Sequence, residues 1–154
     1  MSWDKGRDRI DELVAQRELQ RVTPSRPAAL LLIEQARRHL RSAAQVCDTD
    51  PQGAYVLAYD ATRKAMAAVY EAQGLRATST GGHVVLHEAA LAQFEPPLGH
   101  LFKPFNRMRV RRHQVEYAST ENPEVTPEEV RRDLTKARAL IEDFALKAID
   151  LVSS

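Results

Sequence analysis

Positive charge is concentrated in one segment of the chain, residues 100–115 (HLFKPFNRMRVRRHQV), which contains no acidic residue. The chain as a whole is nearly neutral, with 22 Lys and Arg against 21 Asp and Glu. Guanidinium groups bind phosphate bidentately, and lysine binds it as a point charge. The segment therefore supplies candidate nucleic-acid contacts, namely Lys103, Arg107, Arg109 and Arg112.

Helical geometry divides this segment into faces, because successive residues turn by about 100°. Arg112 falls on the apolar side, and Glu116 follows it by one turn. Arg107 and Arg111 are predicted to point away from that side, into solvent. The apolar side is expected to face the core and consists of Leu101, Phe105, Met108 and Val115.

Two interpretations of Arg112 remain open at this stage. A buried charge without a partner is costly, and Glu116 at i+4 can supply the partner, which makes the two residues a structural ion pair. Alternatively, Arg109 and Arg112 hold a phosphodiester and His113, which changes charge near neutral pH, transfers protons. The catalytic candidates under the second interpretation are Arg109, Arg112 and His113.

A second group of residues was considered as a metal site. His83 and His87 are separated by one helical turn, and Glu88 is adjacent to His87. Because no third ligand is evident, we expect no bound metal or other cofactor. Three tyrosines on the preceding helix are expected at the edge of the core rather than on a base-stacking surface: Tyr55, Tyr59 and Tyr70.

The elements that must position these residues are helices. Apolar residues recur every three or four positions, and Asp50-Pro51 and Thr126-Pro127 have the cap-then-proline pattern of helix starts. No stretch alternates long enough to predict a sheet. The prediction is an all-α, up-and-down bundle of five or six helices over residues 3–20, 27–48, 50–74, 83–94, 99–118 (bent or beginning near Pro104) and 126–151.

Composition restricts the class of protein. A chain of 154 residues is sufficient for one domain, with a peripheral N-terminal helix in 1–24 and the bundle core in 27–151. No apolar run approaches the ~18 residues of a membrane span, and the single cysteine, Cys47, excludes an internal disulfide. The polar N-terminus MSWDKGRDRIDEL lacks the apolar core of a signal peptide, so we expect a cytoplasmic protein.

Two segments carry a family resemblance. The run AYDATRKAMAAVYEAQGLRATSTGGH (58–83), followed by RMRVRRHQVEY (107–117), resembles the HEPN superfamily (higher eukaryotes and prokaryotes nucleotide-binding) over residues 27–150. The resemblance implies a helical bundle that dimerises, here through the third and fifth helices. It also implies either of two functions. One is a metal-independent endoribonuclease with an Arg-x(4–6)-His motif, and the other is a binding module that has lost catalysis.

The family motif fits this sequence in two registers. Arg107 and His113 have five intervening residues, as the motif requires, but lie about 120° apart on a straight helix. In the other register Arg112 takes the place of the family arginine, and Glu116 and Tyr117 occupy the position of the terminal histidine. Under that register His113 serves as the base or acid, and Tyr117 is the candidate for modification.

The resemblance also implies partners and a reaction. Several family members are toxins paired with a minimal nucleotidyltransferase antitoxin, which modifies a tyrosine near the motif. The nuclease reaction is attack of the ribose 2′-hydroxyl on the adjacent phosphate of RNA. The alternative is an inactive module that binds a nucleotidyltransferase-like partner or a nucleotide, with Arg112 and Glu116 as a structural pair.

Overall fold

The computed structural model describes residues 3–117 and 120–153 of the chain and confirms the all-α helical bundle. The elements are, in chain order, α1 (Arg7–Ala15), β1 (Leu19–Arg21), α2 (Arg26–Val46), α3 (Pro51–Glu71), β2 (Leu75–Ala77), α4 (Val84–Phe94), α5 (Gly99–Phe102), α6 (Pro104–Glu116), α7 (Pro127–Ala139), a π-helical segment (Leu140–Ala145) and α8 (Leu146–Ser153). The last three continue one another without a break, as predicted for residues 126–151.

Three helices begin at side-chain caps that the sequence makes recognisable. The side chain of Asp50 accepts a hydrogen bond from the Gly53 amide at 3.0 Å, and that of Thr126 accepts one from Glu129 at 3.2 Å. Ser25 caps α2 in the same way. Each cap is followed within two residues by a proline, whose fixed φ suits the first helical turn. The predicted starts of α3 and α7 are therefore confirmed.

Helix α3 is the centre of the bundle and packs against α2, α4, α6, α7 and the C-terminal helical segments. Alanines on the facing sides of α2 and α3 are fully buried, among them Ala36 and Ala61. Small side chains permit close packing of the two helices. The three tyrosines of α3 are also buried, as expected for core residues.

A small antiparallel sheet corrects the sequence prediction. Strand β1 pairs with β2 in the register Leu19↔Ala77, Gln20↔Arg76 and Arg21↔Leu75, where a helix over 3–20 and a polar loop over 75–82 were predicted. Helix α1 ends at Ala15 instead. Strands of three residues are too short to show a period of two, so their pairing depends on tertiary structure.

The predicted helix over 99–118 is divided at Pro104 into α5 and α6, and its expected end at residue 118 lies outside the described residues. A cluster of aromatic rings anchors α5 to the core. The centroid of Phe102 lies 4.8 Å from that of Phe144, which in turn lies 5.4 Å from Phe94. None of the helices in residues 3–117 and 120–153 combines the length and apolar character needed to cross a membrane.

Candidate functional site

Part of the cationic segment faces a cleft between α3, α6 and the loop before α4. The cleft has a volume of about 290 Å³ and is lined by Tyr59, Gly82, His83, Val84, Arg109, Arg112 and His113. Helix α6 contributes Arg109, Arg112 and His113, the three residues that the sequence identified as catalytic candidates. Two further polar residues come from elsewhere in the chain, Tyr59 from α3 and His83 from the loop.

The apolar side of α6 orients these residues. Phe105, Met108 and Val115 are buried, as the spacing predicted, and Leu101 of α5 is partly buried against the core. The Phe105 ring stacks on Tyr59 of α3 with centroids 5.7 Å apart. These contacts hold α6 against the core. Arg109, Arg112 and His113 lie on the neighbouring side of the helix and line the cleft.

Arg107 is 45% exposed, as the outward placement predicted, but its guanidinium group is bound within the protein rather than free in solvent. Its guanidinium binds both carboxylate oxygens of Asp133 on α7, at 2.7 and 3.2 Å. The Asp133 side chain is 0% exposed and also accepts a hydrogen bond from the Tyr55 hydroxyl at 2.8 Å. Arg107 is therefore a structural partner of a buried carboxylate and does not line the cleft.

Arg111 corrects the prediction in the same way. Its side chain is only 13% exposed and forms an ion pair with Glu129 of α7, with Nε 2.7 Å from Oε2. It also donates to the backbone carbonyl of Pro123 at 2.9 Å. The geometry of α6 alone correctly places Arg107 and Arg111 away from its apolar side. Helix α7 packs next to that side, and its residues Asp133 and Glu129 form the ion pairs with the two arginines.

The two arginines of the cleft differ in their partners. Arg112 forms the predicted pair with Glu116, with Nη1 2.5 Å from Oε2, and its Cζ lies 5.8 Å from the centroid of the Tyr59 ring. Arg109 donates to the Asn106 side chain at 3.1 Å and has no ion pair within the described residues. Arg109 is therefore the cation of the cleft that is most available to a ligand.

His83 is a functional candidate that the sequence suggested only as a metal ligand. Its Nδ1 lies 2.6 Å from the hydroxyl of Tyr59. The hydroxyl can accept as well as donate, so it can hold His83 in the tautomer whose Nε2 is free to take a proton. The signal in the sequence was weak, because 24 residues separate the two partners.

The environment of this pair keeps His83 neutral. Burial, together with the nearby Arg63 and Arg112 guanidinium groups, lowers the pKa of His83 below its ordinary value. Burial also raises the pKa of Tyr59 to about 12, although nearby arginines act in the opposite direction. A neutral imidazole can accept a proton, and the negative charge of a phosphate bound in the cleft would offset the nearby cations that disfavour the protonated form.

The remaining predicted site residues lie around the cleft rather than in it. Lys103 is exposed, and its Nζ lies 2.5 Å from Glu95. Glu116 is engaged with Arg112, and Tyr117 is 62% exposed with its ring centroid 4.7 Å from that of His113. Tyr117 is therefore accessible from solvent beside the cleft, as a modification site must be.

The two histidines considered as metal ligands face different neighbours. His83 contacts Tyr59, whereas the His87 ring packs edge-on against Phe102 with centroids 5.9 Å apart. No cluster of three or more His, Cys, Asp or Glu suited to a metal occurs among the described residues.

Comparisons with known families, with curated proteins and with solved structures found no match for this chain. Its function is therefore inferred from the chemistry of the cleft.

Proposed function

We propose that this protein is a metal-independent endoribonuclease of HEPN type. The observation that carries the proposal is the convergence of Arg109, Arg112, His83 and His113 on one cleft of about 290 Å³. Two cations and two imidazoles are together able to cleave a phosphodiester without a metal. The cations stabilise the phosphorane, and the imidazoles move the protons.

The reaction assigns one role to each group. Arg109 and Arg112 bind the non-bridging oxygens of the scissile phosphate. His83 Nε2 takes the proton of the ribose 2′-hydroxyl, and the 2′-oxygen forms a bond to phosphorus. The bond from phosphorus to the 5′-oxygen breaks, and His113 acts as the general acid that gives a proton to that oxygen. The products are a 2′,3′-cyclic phosphate and a 5′-hydroxyl.

The proposed site is completed by a second copy of the chain. Exposed apolar residues adjoin the cleft, with Val84 39% exposed in its lining and Val110 45% exposed next to Arg109 on α6. A homodimer through α6 and the first turn of α4 would cover them and bring two cationic segments together, whereas α3, expected from the sequence as part of the interface, lies at the centre of the bundle. The proposal also includes a cytoplasmic location and the toxin role, with the exposed Tyr117 as the residue that a minimal nucleotidyltransferase antitoxin modifies.

A specific contact favours a second candidate function. The ion pair of Arg112 with Glu116 neutralises one of the two cations of the cleft. In addition, Glu116 and Tyr117 stand where the family motif ends in histidine. A catalytically inactive HEPN module that binds a nucleotidyltransferase-like partner or a nucleotide is the alternative.

The deciding experiment is incubation of the purified protein with total RNA and tRNA in EDTA. We expect cleavage that leaves cyclic phosphate ends and falls by about 10²–10⁴-fold in His83→Ala and in His113→Ala, the range for loss of a general acid or base. Arg109→Ala should also lose activity. The matched control is Arg131→Ala on α7, an arginine that is 52% exposed and lies outside the cleft lining.

The outcomes separate the two candidate functions. Cleavage that persists in EDTA and requires both histidines supports the nuclease. Absence of cleavage in the wild type, with phosphate binding that still depends on Arg109, favours the binding module. Equal activity in wild type and all cleft variants would assign the cleavage to a contaminant and refute the nuclease.

A further inference from the structure

A second cavity adjoins the cleft at Gly82 and His83. This groove has a volume of about 660 Å³ and lies between α2, α3, β2 and the loop before α4. Gly82 and His83 line both the groove and the cleft. A molecule whose phosphate lies against Arg109 and Arg112 can therefore extend past His83 into the groove.

Part of the groove wall is apolar and partly open to solvent, and it includes Leu31, Leu32, Ala67 and Leu86. The lining also contains the ion pair of Glu71 with Arg76. Leu31 is 61% exposed, so the apolar part of the wall is accessible to a ligand. Such a surface gains free energy when a flat apolar ring covers it.

One polar group in the lining of the groove has no hydrogen-bond partner among the described residues. Tyr70 lines it, and the Tyr70 hydroxyl is buried without a hydrogen-bond partner in the part of the chain that the structure describes. A buried hydroxyl without a partner is costly, and such groups are rare in folded proteins. Ser79 and the Arg63 side chain stand at the border of the same groove.

An apolar groove with a few polar groups, next to a phosphate site, matches the chemistry of a nucleobase. Bases of single-stranded RNA are bound by burial of their faces and by hydrogen bonds to their edges. A volume of about 660 Å³ admits a purine together with its ribose. Arg63 borders the groove and is one of the charges that act on His83.

We propose that the groove is a nucleobase subsite, which binds the base of a nucleotide adjoining the phosphate in the cleft. This assignment rests on the proposed function, because it takes the cleft as a phosphodiester site. Under this proposal, contacts in the groove determine which base is preferred, and contacts in the cleft bind the phosphate. His83, on the shared border, lies next to the ribose between them.

The test compares three probes, adenosine 3′-monophosphate, adenosine and inorganic phosphate, by calorimetry and by NMR of the labelled protein. The blocking variant is Ala67→Phe, which places a ring in the groove from a partly exposed position on α3. The matched control is Ala44→Phe, the same substitution at an exposed position of α2 outside the groove. Leu31→Ser removes an exposed part of the wall without adding bulk.

We expect Ala67→Phe to weaken the binding of adenosine 3′-monophosphate by about tenfold or more, because the added ring occupies the groove. Leu31→Ser should weaken the same binding by about threefold through the loss of apolar contact. Inorganic phosphate should bind these variants and the Ala44→Phe control as it binds the wild type. In the NMR spectrum, adenosine alone should shift the amides of residues 67–70 and 78–79. The same spectra establish that each variant is folded.

Failure of the subsite and failure of the proposed function give different results. If nucleotide and inorganic phosphate bind equally, both through Arg109, and Ala67→Phe has no effect, the groove is not a base subsite, although the phosphate site remains. If adenosine binds the groove but no probe responds to Arg109→Ala, the groove is a base site and the phosphodiester function is wrong.

Discussion

Replacement of Arg107 by alanine is a direct test of the network that separates structural arginines from those of the cleft. Arg107 supplies two hydrogen bonds to Asp133, at 2.7 and 3.2 Å, and the Asp133 side chain is 0% exposed. Without Arg107, the nearby groups left to the carboxylate are the Tyr55 hydroxyl at 2.8 Å and the Arg132 guanidinium at 3.6 Å. The buried carboxylate of Asp133 then loses its main ion-pair partner and two of its hydrogen bonds.

The expected cost is about 3 kcal/mol in the free energy of unfolding at pH 7. Removal of one partner of a buried ion pair typically costs about 3–5 kcal/mol. The low end applies, since Tyr55 remains as a donor and Arg132 can move closer. For a domain of this size, such a loss lowers the melting temperature by roughly 6–12 °C. Arg132→Ala, a residue that is 60% exposed, should cost less than about 0.5 kcal/mol.

The pH dependence provides an independent check. Burial acts to raise the pKa of Asp133, but the hydrogen bonds from Arg107 and Tyr55 lower it overall. In the wild type the contribution of Asp133 is therefore present above the ordinary aspartate pKa of about 3.9 and is lost as the pH falls through the folded-state pKa. In Arg107→Ala burial dominates and raises that pKa, so the folded state loses stability as the pH rises from about 4 towards 7.

Urea unfolding of wild type, Arg107→Ala and Arg132→Ala between pH 3 and pH 7 measures both effects. The difference between wild type and Arg107→Ala should grow with pH. A loss below about 1 kcal/mol at pH 7, with no change in pH dependence, would refute the assignment of Arg107 to the core network. Arg107 would then return as a candidate for phosphate binding.

Three other substitutions or titrations test separate parts of the structure. Tyr70→Phe should leave the free energy of unfolding unchanged or raise it by about 1 kcal/mol, because it removes a buried hydroxyl without a partner. A loss above about 1 kcal/mol in thermal unfolding would show that the hydroxyl does form a hydrogen bond. The His83 imidazole should titrate by NMR below its ordinary pKa of about 6.5. Because the unfolded chain then binds more protons, His83 should reduce stability as the pH falls below about 6.5, and a titration above that value would contradict its neutral state. Gly74→Ala should destabilise the protein by about 1–3 kcal/mol in urea unfolding, because φ of Gly74 is 78° and an added Cβ would lie 2.6 Å from the Val22 carbonyl oxygen. A neutral effect would contradict this backbone conformation.

Local signals predicted most of the fold. The caps at Asp50 and Thr126 and the end of the predicted helix over 83–94 involve groups within a few positions of each other, so they can be predicted without knowledge of the fold. The apolar side of α6 was predicted for the same reason, because 3.6 residues per turn fixes which residues share a face. The β1–β2 pair was missed, since its two strands are separated by the whole of α2 and α3.

The sequence predicted the residues that α6 contributes to the candidate site, but not those that come from other elements. Arg109, Arg112, His113 and the pair with Glu116 lie within two turns of one helix, so their relative positions follow from helical geometry. The roles of Tyr59 and His83 did not follow, because Tyr59 comes from a different helix and His83 from a loop. Their juxtaposition depends on how α3 packs against α6.

The sequence by itself determined where α3 and α7 begin, which side of α6 enters the core, and which arginines lie close to His113 on one helix. Those properties depend on backbone geometry and on neighbours within one or two turns. Only the tertiary structure decided which cations are available to a ligand. Asp133 and Glu129 of α7 neutralise Arg107 and Arg111, whereas Arg109 faces the cleft with no carboxylate partner among the described residues. The electrostatics of the site is a sum over groups that are close in space, and the order of residues along a chain does not specify which groups those are.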